Sequence, residues 1–286
     1  MRARLNDLVL ERLAAGSAVP AFTCYDFTTA LAVVSAAEDA RLPVILLVAP
    51  KTAAGPGGLR FIRALRGLAD DAGVPVVVQL DHATDAGLIQ AAVTAGADAV
   101  LADGSRMPPV RNAEFVASIA SLTSGSGVVI EAELGALGGD EDDSRGAAKH
   151  DPAAGMTDPA AVAAFLDASA ADLLAVAVGN VHGNYSGEPR LDWERISRIR
   201  TAAGTVPLVL HGASGLSSAD LERAASAGIG KVNVNTELRT ATLEAVAAAL
   251  PEAMSSGANM LSLMQAWSRA AGSTAGQTLK LLNAAG

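Results

Sequence analysis

Along its 286 residues the chain repeats one alternation about eight times: a short apolar run rich in Val and Leu, then an Ala-rich segment of helical length. Parallel strands joined by crossover helices produce this rhythm. A strand covered on both faces is apolar throughout, and a helix must carry the chain back to the edge where the next strand starts. The predicted strands cover residues 19–24, 44–48, 74–80, 99–101, 128–133, 173–178, 207–210 and 231–234. Gly-Val-Pro, Thr-Val-Pro and Arg-Leu-Pro precede strands, and Ala-Gly-Ala-Asp and Ala-Gly-Ile-Gly close helices. Eight such units close into a single α/β domain over residues 1–286, a (β/α)8 TIM barrel. Residues 5–15 form an N-terminal helix beneath it. Residues 237–250 are the eighth helix, and 262–282 a C-terminal helical extension.

Composition narrows the function. Half of the residues are hydrophobic and 18% are charged, as one large core requires, and no linker rich in Pro, Ser and charge divides the chain. A net charge of −9 argues against nucleic acid, whose phosphate backbone needs a positive footprint. A small phosphate ester remains open, because backbone amides at helix N-termini hold phosphate without net positive charge. The single cysteine, Cys24, excludes an intrachain disulfide and fits a reducing compartment. The N-terminal residues lack the apolar stretch of a signal peptide, and no apolar run approaches the ~18 residues that span a bilayer, so no membrane is expected and the location is read as cytoplasmic.

In an α/β barrel the chemistry collects at the carboxyl ends of the strands. There the chain carries Gln79-Leu-Asp81-His82, Asp103-Gly-Ser105, Glu131-Ala-Glu133, Asn180-Val-His182-Gly183, His211-Gly-Ala-Ser214-Gly215 and Asn233-Val-Asn235-Thr236. Three of the four histidines, His82, His182 and His211, fall at these ends. Three imidazoles with an open fourth position make a catalytic zinc site, whereas a closed structural site would usually use thiolates. Glu133 and Asp103 could hold the metal in a second position or orient His82, and Glu131 should share the inward face of Glu133. Asp81 and His82 are adjacent and so should face opposite ways; both reach the pocket only where the strand gives way to loop. The glycines after the last three strands, with Ser214 and the Asn233–Thr236 run, supply amides and hydroxyls for a phosphate cradle. Residues 135–157 make a connection longer than packing needs, the signature of an active-site loop.

These stretches resemble the class II fructose-bisphosphate and tagatose-bisphosphate aldolases from about Leu5 to Ala241. The matching segments are 77–82, 103–105, 131–139, 175–183 with 187–192, 208–215 and 231–237. The resemblance implies a Zn2+-dependent carbon–carbon lyase of carbohydrate metabolism, with His82, His182 and His211 as zinc ligands and Glu133 beside the metal. It implies Asp81 as the group moving the proton on the C4 hydroxyl. Gly183, Gly212, Ser214, Asn233, Asn235 and Thr236 would hold dihydroxyacetone phosphate, with a Na+ or K+ ion ordering the cradle. Asp140 and Glu141 match the loop carboxylate of the family, and Glu141 is chosen for the donor-carbon proton. A small phosphorylated sugar is the expected substrate, and a homodimer or homotetramer the expected assembly.

Departures from the family pattern fall at the far end of the substrate. Thr23 stands where Asn is usual, Ala49-Pro50-Lys51 replaces a Ser-Pro-Gly pattern, and residues 263–267 lack the Asp-Pro-Arg element. Lost charge-assisted contacts are worth about 1.5–3 kcal/mol each, so a second phosphate should be held weakly unless Lys51 or Arg269 compensates. An aldolase whose acceptor aldehyde has no terminal phosphate, or a different acidic group, is therefore expected. The alternatives are another zinc barrel enzyme, such as a hydrolase, and a catalytically silent barrel subunit of a sugar-processing complex.

Overall fold

The computed structural model describes residues 3–137, 155–181 and 190–283. Eight parallel strands close into a barrel in sequential order: β1 (Val19–Thr23), β2 (Val44–Val48), β3 (Val76–Ala83), β4 (Ala99–Ala102), β5 (Val129–Leu134), β6 (Leu173–Val176), β7 (Leu208–Leu210) and β8 (Ile229–Val234), with β8 pairing back on β1. The expected (β/α)8 TIM barrel is thus the fold.

Several helices start where the sequence supplies a side chain for their unpaired amides. Asp26 caps α2 (Phe27–Ala40) at Thr29 N, Asp85 caps α5 (Ala86–Ala95) at Leu88 N, Asp192 caps α8 (Trp193–Ala203) at Arg195 N, and Ser217 caps α9 (Ser218–Ser226) at Asp220 N. Gly96 ends α5 in the left-handed conformation that the Ala-Gly-Ala-Asp motif predicts.

Two apolar layers hold the barrel. Outward residues such as Val78, Leu80, Ile130, Ala132, Val232 and Val234 pack under the helices. Inside the lower barrel Val19, Ala21, Ile45, Leu47, Val77, Ala99, Val129, Leu173 and Val209 meet Leu5, Leu8 and Val9 of α1 (Leu5–Ala14), which plugs the floor as the sequence suggests. Gly230 makes room for that plug, since a Cβ there would lie 2.4 Å from Val9 Cγ1.

Several boundaries differ from expectation. β3 starts two residues later and runs on through Asp81, His82 and Ala83. β6 stops at Val176, because the Asn180 side chain accepts from Val178 N at 2.7 Å and takes the place of a strand partner. The eighth helix, α10 (Thr236–Ser255), continues through Pro251 for another turn, anchored by the buried Ala253. Then α11 (Met260–Leu282) packs along both α10 and α2, so it completes the helical ring between the last and first units. No helix among the described residues is long and apolar enough to cross a membrane.

Candidate active site

Which side chains line the upper barrel follows from the two-residue period of a strand. On β5, Ile130, Ala132 and Leu134 face out, leaving Glu131 and Glu133 inside; on β3, Val76, Val78 and Leu80 face out, leaving Val77 and Gln79 inside. Strict alternation would then admit Asp81 and exclude His82. Instead Leu80 pairs with Val100 and Ala83 with Ala102, so β3 spends one residue more than β4 between the two pairs. His82 absorbs the extra residue at φ 43°, in the left-handed region that a non-glycine residue adopts only at a cost. Ala83 rejoins the outward layer. Asp81 and His82 both reach the pocket, through a bulge inside the strand and not, as expected, beyond its end.

The result is a compact group. Ligand-capable atoms of Asp81, His82 and His211 lie within 4.8 Å of one another, as do those of His82, Asp103 and Glu133. The rings of His82 and His211 meet edge to face with centroids 4.8 Å apart. Asp103 Oδ2 lies 2.9 Å from His82 Nδ1, and Glu133 Oε2 lies 3.1 Å from His211 Nδ1 and 3.9 Å from His82 Nδ1. Asp81 is fully buried; its Oδ2 accepts from Asn233 Nδ2 at 3.3 Å, while its Oδ1 has no protein partner among the described residues. A buried carboxylate oxygen left in this way, beside two imidazoles and two further carboxylates, is a donor set that a divalent cation or a substrate hydroxyl would complete.

The electrostatics follow from burial set against pairing. Burial works to raise the Asp103 pKa, but the hydrogen bond and charge of His82 outweigh it and hold the carboxyl well below its ordinary range. Burial would lower His211, yet hydrogen bonds to Glu131 and Glu133 lift it to about 9. Burial pushes the Cys24 thiol far up, which makes it inert.

Beneath this group lies a polar layer whose role the sequence does not announce. Glu131 Oε2 accepts from Lys231 Nζ at 2.6 Å and from Gln79 Nε2 at 2.9 Å, while Glu131 Oε1 lies 2.9 Å from His211 Nε2. Lys231, Glu131, Gln79 and His211 are all fully buried. The Lys231 charge, set against the desolvation that works to raise it, holds Glu131 down to about 2. From above, Asn180 Nδ2 donates to His211 O at 2.9 Å and ties the end of β6 to the end of β7. The available signal was a lysine in an apolar strand, two residues before Asn233 and so on the same face.

The expected cradle residues fall on two neighbouring segments. Gly212 and Ser214 follow β7, with Gly212 at φ 57°; Asn233 ends β8, and Asn235 and Thr236 open α10. Asn233 is spent partly on Asp81, Asn235 bonds the Tyr25 hydroxyl at 3.3 Å, and the Gly215 amide donates to Glu237 at 3.0 Å. A cavity of about 1000 Å³ adjoins the cradle between Ser214, Thr236 and Thr274 of α11. At the mouth, Thr23 is buried at the end of β1 and Lys51 is exposed on the short helix α3 (Pro50–Ala53) that follows β2. His182, Gly183, Asp140 and Glu141 lie outside the described residues.

Comparison with known proteins agrees with this geometry. A family model described as class-II fructose-bisphosphate aldolase matches residues 3–286. The YdjI aldolase of Escherichia coli K12 superposes with a TM-score of 0.86 at 30% identity, covering 100% of this chain and 99% of that one. A Coccidioides immitis protein provisionally named a fructose-1,6-bisphosphate aldolase gives 0.84 at 26% identity, covering 99% of this chain and 98% of that one. The fructose-bisphosphate aldolase of Campylobacter jejuni shares the fold with a TM-score of 0.80 at 20% identity, over 98% of this chain and 94% of its own. With the barrel, the bulged strand and the histidine–carboxylate group in place, the chain belongs to the class-II fructose-bisphosphate aldolase family.

Proposed function

We propose that this chain is a zinc-dependent aldolase that reversibly cleaves a ketose phosphate to dihydroxyacetone phosphate and an aldehyde. The reading rests on one observation, the bulge of β3 that sets Asp81 beside His82, His211 and Asn233. His82 and His211, joined by His182 and with Glu133 and Asp103 alongside, would hold zinc, and zinc in that pocket supplies Lewis-acid polarisation of the substrate oxygens.

The chain's own residues do the proton work. Asp81, whose Oδ1 has no protein partner among the described residues, takes the proton of the C4 hydroxyl as the C3–C4 bond breaks. Asn233 holds the other oxygen of Asp81 and keeps it aimed. Glu141 returns a proton to the donor carbon, and aldol addition is the reverse. Gly183, Gly212, Ser214, Asn233, Asn235 and Thr236 hold the phosphate end, with Na+ or K+ ordering their carbonyls.

Thr23 at the end of β1 supports an acceptor with no terminal phosphate, and the exposed cation Lys51 after β2 one with a different acidic group. The test is a coupled assay of dihydroxyacetone phosphate release from ketose 1-phosphates and 1,6-bisphosphates, with and without chelator. Chelator-sensitive release, best with a substrate lacking the far phosphate, is expected. Efficient turnover of fructose or tagatose bisphosphate would overturn the acceptor assignment. A zinc-loaded chain with no release from any of them would point to a silent barrel.

A further inference from the structure

Glu131, Gln79 and Lys231 sit one layer below the proposed metal pocket, all three fully buried. Their register partners on neighbouring strands are apolar, Leu47 beside Gln79, Leu173 beside Glu131 and Val19 beside Lys231, and apolar side chains would pack there at no desolvation cost. A buried ion pair is weak grounds for stability, because well-packed hydrophobic replacements are often as stable. The geometry of this pair is directional. Lys231 and Gln79 both bond Oε2 of Glu131, at 2.6 and 2.9 Å, and this turns Oε1 toward Nε2 of His211. A carboxylate accepts, so in the charged, metal-free ring Nε2 carries one hydrogen toward Glu131 and Nδ1 the other toward Glu133 Oε2; Nδ1, on the side of His82 and Asp81, is the nitrogen that would exchange its hydrogen for a metal.

We propose that Lys231 and Gln79 are positioning residues that act through Glu131 to set which ring nitrogen of His211 faces the metal. A half-turn about Cβ–Cγ would put Cε1 where Nε2 now meets Glu131 and Cδ2 where Nδ1 now meets Glu133, so both ring nitrogens would lose their carboxylates. The ring would then offer a metal only a displaced donor relative to His82. Lys231 and Gln79 prevent the turn by occupying Oε2 twice. The orienting group lies behind the imidazole, as a carboxylate behind a metal-binding histidine commonly does, but here the carboxylate is itself steered by a cation from β8 and an amide from β3.

This inference rests on the metal-dependent reading of the site. It is tested on the full chain carrying 15N-labelled histidine and loaded with zinc, and in parallel with cobalt(II). In the unmutated chain the ring-nitrogen spectrum should show His211 metal-bound at Nδ1 and protonated at Nε2. Lys231→Met and Gln79→Leu should each weaken zinc binding, by roughly 10–100-fold for the first and less for the second, and should alter the visible absorption of bound cobalt. Gln79→Leu replaces one neutral side chain by an apolar one of similar size, so it decides the matter if Lys231→Met does not fold. His211 bound through Nε2, or wild-type zinc affinity and cobalt spectrum in the folded variants, overturns the proposal. Failure of the unmutated chain to take up either metal overturns the reading of the site as well, which separates the two.

Discussion

His82 occupies a backbone conformation where glycine would be cheapest, and the strain has a use. Only the extra residue at this point lets two adjacent side chains face one pocket, so the cost of φ 43° is offset by the juxtaposition of Asp81 with the imidazoles. Asp81→Asn keeps the shape and the contact with Asn233 but cannot take a proton. It should lower kcat by about 10²–10⁴-fold while bound zinc stays at the unmutated level, as steady-state kinetics with metal analysis would reveal. Loss of the metal together with the activity would instead make Asp81 a ligand.

His211 has a consequence for stability. In the metal-free chain its pKa rises from 6.5 to about 9 because the charged ring is bonded to Glu131 and Glu133. A raised pKa means the folded state binds the proton more tightly than the unfolded chain. The resulting stability is fully present below pH 6.5 and is lost as pH climbs through about 9. Thermal melts of the chelated protein should therefore show Tm falling over this window. The fall should be shallower in His211→Gln, and an identical slope in that variant would refute the assignment.

At the scale of elements, the connection after β5 is pinned where it leaves the barrel. Ala136 N donates to Gly155 O at 2.9 Å, Thr157 N donates to Ala177 O at 2.8 Å, and the Thr157 hydroxyl bonds Leu134 O. The neck closes because Gly135 takes φ 98° and has no side chain; a Cβ there would lie 2.8 Å from Gly155 O and 2.9 Å from Thr157 Oγ1. Gly135→Ala should cost more than about 1 kcal/mol of stability, read as a lowered denaturant midpoint. A midpoint equal to that of the unmutated protein would mean that the neck is not held as described. Neither this neck nor the bulge at His82 is legible in hydrophobic pattern, because both depend on which residues a neighbouring strand or loop brings opposite. The strand positions themselves were legible, since their apolar runs answer to burial on both faces.

Across the whole molecule, α10 and α11 extend a helical pair whose surface carries Leu243, Leu250, Met254, Met260 and Leu261, each at least 44% exposed. Between residues 240 and 268 the only charges are Glu244 and Glu252. A patch of this kind favours the homodimer or homotetramer proposed for this chain. Sedimentation should give an assembly larger than one chain, and Met260→Glu with Leu261→Glu should shift it toward the monomer. A monomer at all concentrations in the unmutated protein would remove the proposal.

The amino-acid sequence by itself determined the eight βα units, the plug helix, the depth of the apolar core and the set of polar residues gathered at the strand ends, because these depend on local period and on hydrophobicity. It also suggested that Glu131 shares a face with Glu133, since alternation along one strand is a local property. Tertiary structure alone decided that His82 could join Asp81 inside the barrel, that Lys231 and Gln79 would converge on Glu131, and that His211 would lie between two carboxylates. Those choices turn on pairing register and on contacts between strands far apart in the chain, where one inserted residue reverses the side that a side chain faces.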